Sequence, residues 1–362
     1  MTRYLMAGGG TAGHVNPLLA VADRLRRDDP DAAVLVLGTP GGIEARLVPA
    51  RGYELATIEK VPLPRHIGRE LFRFPARFLR TVRETRDLIA GRDIDVVVGF
   101  GGFVSAPAYI AAWREKVALV VHEANRVPGF ANRLGSWLTR FVGVAFAGTR
   151  LRHARVVGMP LSSAIETLDP LRARLEALEF FGFASDSRVL LVTGGSLGAR
   201  SLNETVSSSI AGILSTGWSV LHITGTGSNL TDGGLPGYHV VRYCDRMDLA
   251  LSTADLAVTR AGAATVSELA ALGIPAVYVP LPIGNGEQRR NVSAIVAAGG
   301  SLLVANADFT PEWVGDVLVP LLRDTAAVAE LAAKVAPLGV KNGTERTVEL
   351  IHDALQRSTG SA

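Results

Sequence analysis

The chain has 362 residues, 48% hydrophobic and 20% charged, which suffices for buried cores and excludes a disordered chain. At ~150 residues per domain this length suggests two domains, with one large domain as the alternative, and one cysteine, Cys244, excludes an intrachain disulfide and fits a reducing compartment. The net charge of +3 is uneven: residues 1–157 hold 23 Lys+Arg against 14 Asp+Glu (+9), and residues 158–362 hold 14 against 20 (−6). Such a split points to an anionic surface facing the first half, with chance composition as the plain alternative.

Along the chain, residues 3–7 read as a strand, followed by a glycine loop and a helix over about 14–27. The apolar run at 4–7 is too short for a secretory core. A strand follows at 33–37, and valine-rich runs at 95–98 and 117–121 suit strands covered on both faces. Residues 96–113 are 18 positions without a charge, the lower limit for a membrane span, but Gly99, Gly101, Gly102, Ser105 and Pro107 make them a strand, a glycine loop and a helix start. The pattern restarts with a strand at 188–193, the glycine loop 194–198 and a helix from Ala199, with further strands at 220–223, 256–258 and 276–279. Helical patterns at 310–322, 325–335 and 344–356 end the chain, the last placed to return to the first domain. Alternating strands and helices predict parallel sheets, here as two Rossmann-like domains divided near Val157–Pro160, that is 1–157 with the helix at about 342–362, and 158–341.

The glycine loops carry the first chemical signals. Residues 8–13 read GGGTAG, and Gly8, Gly10 and Gly13 fit G-x-G-x-x-G, a spacing that lets backbone N–H groups meet an anion at a helix N-terminus. The same spacing also serves plain tight turns. A nicotinamide site wants an acid at the end of the second strand, and Gly38-Thr39 supplies none. His14, polar and at a helix start, is either a general base or a helix-capping residue. GGSLG at 194–198 offers the Ser196 hydroxyl and N–H groups to a diphosphate. In RAGAATVSE, 260–268, Thr265 and Glu268 share a helical face, where an acid can accept two ribose hydroxyls or simply meet water. GNGEQRRN at 284–291 follows an apolar strand, so Gln288 and Asn291 are either sugar-binding or loop residues.

HEAN at 122–125 forms a polar cluster at a strand end, with no further cluster of metal-ligand spacing and no HExxH, G-x-S-x-G or Walker A sequence. Residues 65–86 hold seven arginines and two glutamates interleaved with Leu71, Phe72, Phe74, Phe78 and Leu79. This suits anionic lipid, a nucleic-acid face or a solvated amphipathic helix, with Pro75 starting or breaking the helix.

GGGTAGH at 8–14, VVGFGGFVSAP at 97–107, HEAN, GGSLGAR at 194–200, RAGAATVSE and NGEQRRN at 285–291 together resemble the MurG family, with NGEQR in its actinobacterial style. The resemblance implies a GT-B fold of two Rossmann-like domains facing a cleft. It implies metal-independent, cofactor-free, inverting transfer of N-acetylglucosamine from UDP-N-acetylglucosamine to lipid I, giving lipid II in peptidoglycan synthesis. It places Thr11, Ala12, Gly13 and His14 at the cleft with His14 as candidate base, Asn125 on the sugar, Ser196 on the diphosphate, Thr265 and Glu268 at the nucleotide, and Gln288 on GlcNAc. It sets residues 65–86 against the anionic cytoplasmic face of the cell membrane as a peripheral anchor, with cell-wall synthesis and division proteins as partners and no nucleic acid.

Two positions depart from the family. GMPLS puts Ser162 where an arginine contacts the diphosphate, and Leu197 replaces a glutamine. Losing a charge-assisted contact costs about 1.5–3 kcal/mol of binding, unless Arg200, Arg260 or Arg289 compensates. The departures leave open another lipid or natural-product acceptor, or a membrane-bound paralogue without turnover.

Overall fold

The computed structural model describes residues 1–62, 69–283 and 285–359. Residues 65–68 of the basic stretch, the Arg69, Glu70 and Leu71 side chains and Gly284 of the polar loop lie outside the described parts. The chain divides into two compact units, Met1–Ser163 with the segment from Asn342 onward, and Ala164–Lys341. The first unit therefore runs past Val157. His122 Nε2 donates to the Gly158 carbonyl (2.9 Å), and Thr344 Oγ1 donates to the Leu161 carbonyl (2.8 Å) and accepts the Leu161 N–H (3.1 Å), so residues 158–161 are stitched to this unit.

In the first unit the strands are β1 (Arg3–Gly8), β2 (Ala33–Gly38), β3 (Glu54–Thr57), β4 (Val96–Gly101), β5 (Ala118–Glu123), β6 (Phe141–Val144) and β7 (Ala154–Val156). All pair in parallel in the order β3-β2-β1-β4-β5-β6-β7. The helices are α1 (Ala12–Asp28), α2 (Glu44–Ala50), α3 (Arg69–Gly91), α4 (Ser105–Glu115) and α5 (Phe130–Leu138). Alternate residues of each strand face opposite ways. Met6, Val36 and Val98 meet Val15 and Leu18 of α1, whereas Leu5, Leu37 and Val97 meet Ala108 and Tyr109 of α4 and Ile89 of α3. The C-terminal helix Gly343–Thr359 adds Val348, Leu350, Ile351 and Ala354 to the α1 side.

Pro75 neither starts nor breaks α3, which runs through it. Its ring lies on the exposed face, where water can take the Leu71 carbonyl that loses its helical donor. No described helix is long and apolar enough to cross a membrane.

The second unit has β8 (Val189–Thr193), β9 (Ser219–Ile223), β10 (Tyr238–Val241), β11 (Ala254–Thr259), β12 (Ala276–Tyr278) and β13 (Leu302–Leu303). They pair in parallel as β10-β9-β8-β11-β12-β13. The helical pattern at 310–322 is three pieces: Pro311–Trp313, a widened π turn Val314–Leu318, and Val319–Arg323. Pro320 has no N–H for the regular ladder, and the wide turn precedes it. In both sheets the order reverses beside the first strand, between β1 and β4 and between β8 and β11. Ligands of open parallel sheets bind at such reversals, beyond the carboxyl ends of the strands. Both glycine loops are there.

Candidate active site

In the first unit, the loop after β1 is shaped by a residue that none of the sequence motifs contains. Glu44, at the start of α2, is fully buried. One carboxylate oxygen accepts the Gly10 N–H (3.0 Å) and the other accepts the Thr39 N–H (2.9 Å) and hydroxyl (2.8 Å). Burial pushes this carboxyl up, but the hydrogen bonds from Gly10 and Thr39 outweigh it and hold the group below the usual carboxylate range. A Cβ at Gly9, Gly38 or Gly42 would collide with Glu44, so the glycines on three sides make its socket. The end of β2, which holds no acid in sequence, thus receives one from five residues beyond Thr39.

His14 stands in the first turn of α1, on the other side of that loop. Its Nδ1 lies 3.1 Å from the Gly9 carbonyl and 3.2 Å from Thr11 Oγ1. A carbonyl oxygen only accepts, so these partners put the hydrogen on Nδ1 and the lone pair on Nε2. Gly101 keeps the Nε2 edge clear: a Cβ there would lie 3.1 Å from Nε2. Thr11 is the N-cap of α1 and gives it no side-chain cap; Ala12 and Gly13 form its first positions.

HEAN divides into different duties. His122 is buried and neutral: burial pushes it down to about 4, against the opposing bond to Gly158. Buried Glu123 accepts the backbone N–H of Asn125 (2.8 Å), that of Gly129 (2.9 Å) and Asn132 Nδ2 (3.0 Å), so it folds the turn that presents half-buried Asn125. Tyr109 donates to Asn132 Oδ1 (2.7 Å), locking α4 to α5 beneath this turn.

In the second unit, the loop after β8 is a turn closed by Gly198 N–H to the Gly195 carbonyl (2.9 Å), with Ser196 and Leu197 exposed at its tip. The helix Arg200–Ser208 behind it has no side-chain cap, and its first-turn N–H groups suit an anion. The helix Ala263–Ala271 also lacks a side-chain cap and carries half-buried Thr265 and Glu268. Glu268 has no hydrogen-bond partner among the described residues, and desolvation pushes its carboxyl up to about 7.

Gln288 Oε1 accepts the Leu281 N–H (2.8 Å) and the Ala261 N–H (3.2 Å). Both partners are donors, which fixes the amide orientation and leaves its NH2 to donate outward. Asn291, a sugar candidate in sequence, is instead a brace, 2% exposed and donating to the Ala261 carbonyl (3.2 Å). Ser162 is half-buried and without a hydrogen-bond partner among the described residues. Of the arginines that could replace the missing one, Arg200 points outward and pairs with Glu204 (2.7 Å). Arg260 is buried and donates to the Val279 carbonyl (2.9 Å), Asn306 Oδ1 (2.7 Å) and Ser201 Oγ (3.2 Å), while Arg289 is exposed. Among the described residues, no group of three His, Cys, Asp or Glu side chains is placed to hold a metal ion.

The glycosyltransferase family 28 N-terminal domain matches residues 4–144 and the C-terminal domain of that family matches residues 189–347. The UDP-N-acetylglucosamine–N-acetylmuramyl-(pentapeptide) pyrophosphoryl-undecaprenol N-acetylglucosamine transferase of Leifsonia xyli subsp. xyli is 60% identical, covering 98% of this chain and 99% of its own length. Its namesake in Clavibacter sepedonicus is 55% identical over 98% and 97%. The crystal structure of Acinetobacter baumannii MurG superposes with a TM-score of 0.79 at 28% identity, covering 98% of this chain and all of that one. With paired glycine loops at two sheet reversals and these relatives along its whole length, the chain belongs to the MurG family of glycosyltransferase family 28 and has the GT-B fold.

Proposed function

We propose that this chain moves N-acetylglucosamine from UDP-N-acetylglucosamine to the C4 hydroxyl of MurNAc in undecaprenyl-pyrophosphoryl-MurNAc-pentapeptide, with inversion, making lipid II from lipid I. The observation that carries the chemistry is His14, whose Nδ1 is tied to the Gly9 carbonyl so that Nε2 is free to take a proton. His14 serves as general base for the acceptor hydroxyl, with Thr11, Ala12, Gly13 and Asn125 lining the acceptor and sugar. In the second unit the uncapped helix behind Ser196 stabilises the departing diphosphate without reorganisation. Glu268, with Thr265 beside it, accepts the ribose hydroxyls, and the Gln288 amide reads the sugar. Ser162 adds no charge to the diphosphate.

The enzyme works at the cytoplasmic face of the cell membrane. Helix α3 supports this, exposing Phe72 and Leu79 among exposed Arg73, Arg80 and Arg83. Apolar rings dip between headgroups while guanidiniums meet anionic lipid. Cell-wall synthesis and division proteins are the partners this placement suggests.

The test is UDP release from UDP-N-acetylglucosamine, with and without a short-chain lipid I analogue in detergent, with EDTA present. Release that needs the analogue and survives EDTA is expected. A folded protein that binds lipid but releases no UDP overturns the proposal.

A further inference from the structure

The Gly9 carbonyl and the Gly10 N–H belong to one peptide group, planar and conjugated. Its N–H donates to Glu44 Oε2 (3.0 Å) and its C=O receives His14 Nδ1 (3.1 Å). A carboxylate, a peptide and an imidazole therefore stand in one line of hydrogen bonds. We propose that Glu44 is a positioning residue for His14, acting through the Gly9–Gly10 peptide to fix the imidazole tautomer and raise the basicity of Nε2. This rests on the reading of His14 as the general base.

The geometry explains more than a structural prop requires. The donors around Glu44 include the Gly10 and Thr39 backbone N–H groups, which cannot accept, so the carboxyl is held ionised. No Lys, Arg or His pairs with it among the described residues. A full buried negative charge thus lies one peptide away from the imidazole. An N–H bonded to a carboxylate makes its own carbonyl a stronger acceptor, because linked hydrogen bonds polarise one another. A better acceptor at Nδ1 stabilises the imidazolium that forms when Nε2 takes a proton, as a direct carboxylate does in a Ser-His-Asp triad.

The surroundings permit the line. A Cβ at Gly102 would overlap the Gly9 carbonyl oxygen, so that oxygen is reachable only past a glycine. Charged or titratable groups near this corner include Glu123, committed to Asn132 and the Asn125 turn, His122, neutral against Gly158, Tyr109, donating to Asn132, and Lys60, over the Phe103 ring. The same bond occupies the Gly10 N–H and withholds it from any ligand phosphate.

The test uses full-length protein with 15N-labelled histidine and glycine. In Glu44→Gln, the His14 titration should fall by roughly half to one pH unit and its Nδ1–H tautomer should lose population. Turnover should fall about 10- to 100-fold, as for other second partners of functional histidines, with KM for UDP-N-acetylglucosamine unchanged. In the wild type the Gly10 amide resonance should follow His14 through its titration, a measurement that stands even if Glu44→Gln fails to fold. An unresponsive Gly10 amide, or unchanged His14 titration and tautomer in folded Glu44→Gln, overturns the coupling. Full turnover in His14→Ala instead overturns the base reading, and with it the catalytic meaning of Glu44, whatever the resonances show.

Discussion

The two glycine loops begin alike, 186 residues apart from Gly8 to Gly194, and end differently. Each follows the first strand of its sheet and opens an uncapped helix. In the first, the protein supplies its own anion: Glu44 takes the Gly10 N–H, and His14 stands in the first turn of the helix. In the second, the side chain at the tip is exposed and no carboxylate of the described residues bonds the loop. The two loops therefore differ in their internal electrostatics, through a residue outside the motif.

The largest expected effect separates the loops by function. His14→Ala should lower turnover by about 10²- to 10⁴-fold while UDP binding, measured by calorimetry, stays as in the wild type. Weakened UDP binding would mean that the first loop does hold the diphosphate.

Backbone geometry gives the next contrast. A Cβ at Gly10 (φ 85°) would meet nothing within 4 Å, whereas one at Gly198 (φ 80°) would overlap the Thr224 carbonyl oxygen. Gly10→Ala should cost only left-handed strain, about 1–2 kcal/mol. Gly198→Ala should cost more, about 2–4 kcal/mol with the clash included, read as midpoint shifts in urea.

Glu268 sharpens the comparison by pH. Its folded pKa of about 7 stands above the ordinary 4.5, so the folded chain keeps a proton that the unfolded chain releases between these values. That stability is full below 4.5 and lost as pH rises through 7. Glu268→Gln should therefore stabilise the free protein at pH 8, by about 2 kcal/mol, and change little at acid pH. It should also weaken UDP about tenfold, and wild-type affinity should decline as pH drops below 7. The smallest effect is at the exposed tip, where Leu197→Gln should tighten UDP by no more than about threefold.

The long valine runs were legible because strands covered on both faces leave a plain signal, as in β4, β5 and β8. Interior β6, four residues holding Gly143, and the edge strands β3, β7, β10 and β13 were not, since short strands carry little pattern. Gln288 and Glu268 could be named from loop and helix position, but only the structure shows which atoms each has left to offer. Asn291, three residues past Gln288, turns inward, a distinction that residue type does not make. Glu44 escaped because its role depends on a turn that brings it back to β2. The one trace in sequence is an acid between Gly41-Gly42 and an apolar run, with small residues at 9 and 38 to leave room.

The C-terminal helix also bears on how the protein is made. Val15 and Leu18 share a core with Val348 and Ile351, over three hundred residues later. At ribosomal speeds of about 5–20 residues per second, the α1 side of the first sheet waits roughly 20–70 s for its last wall. The second unit, contiguous in sequence, can close meanwhile. During synthesis the first unit is therefore the late folder, and a ribosome stalled before residue 343 leaves an open sheet face.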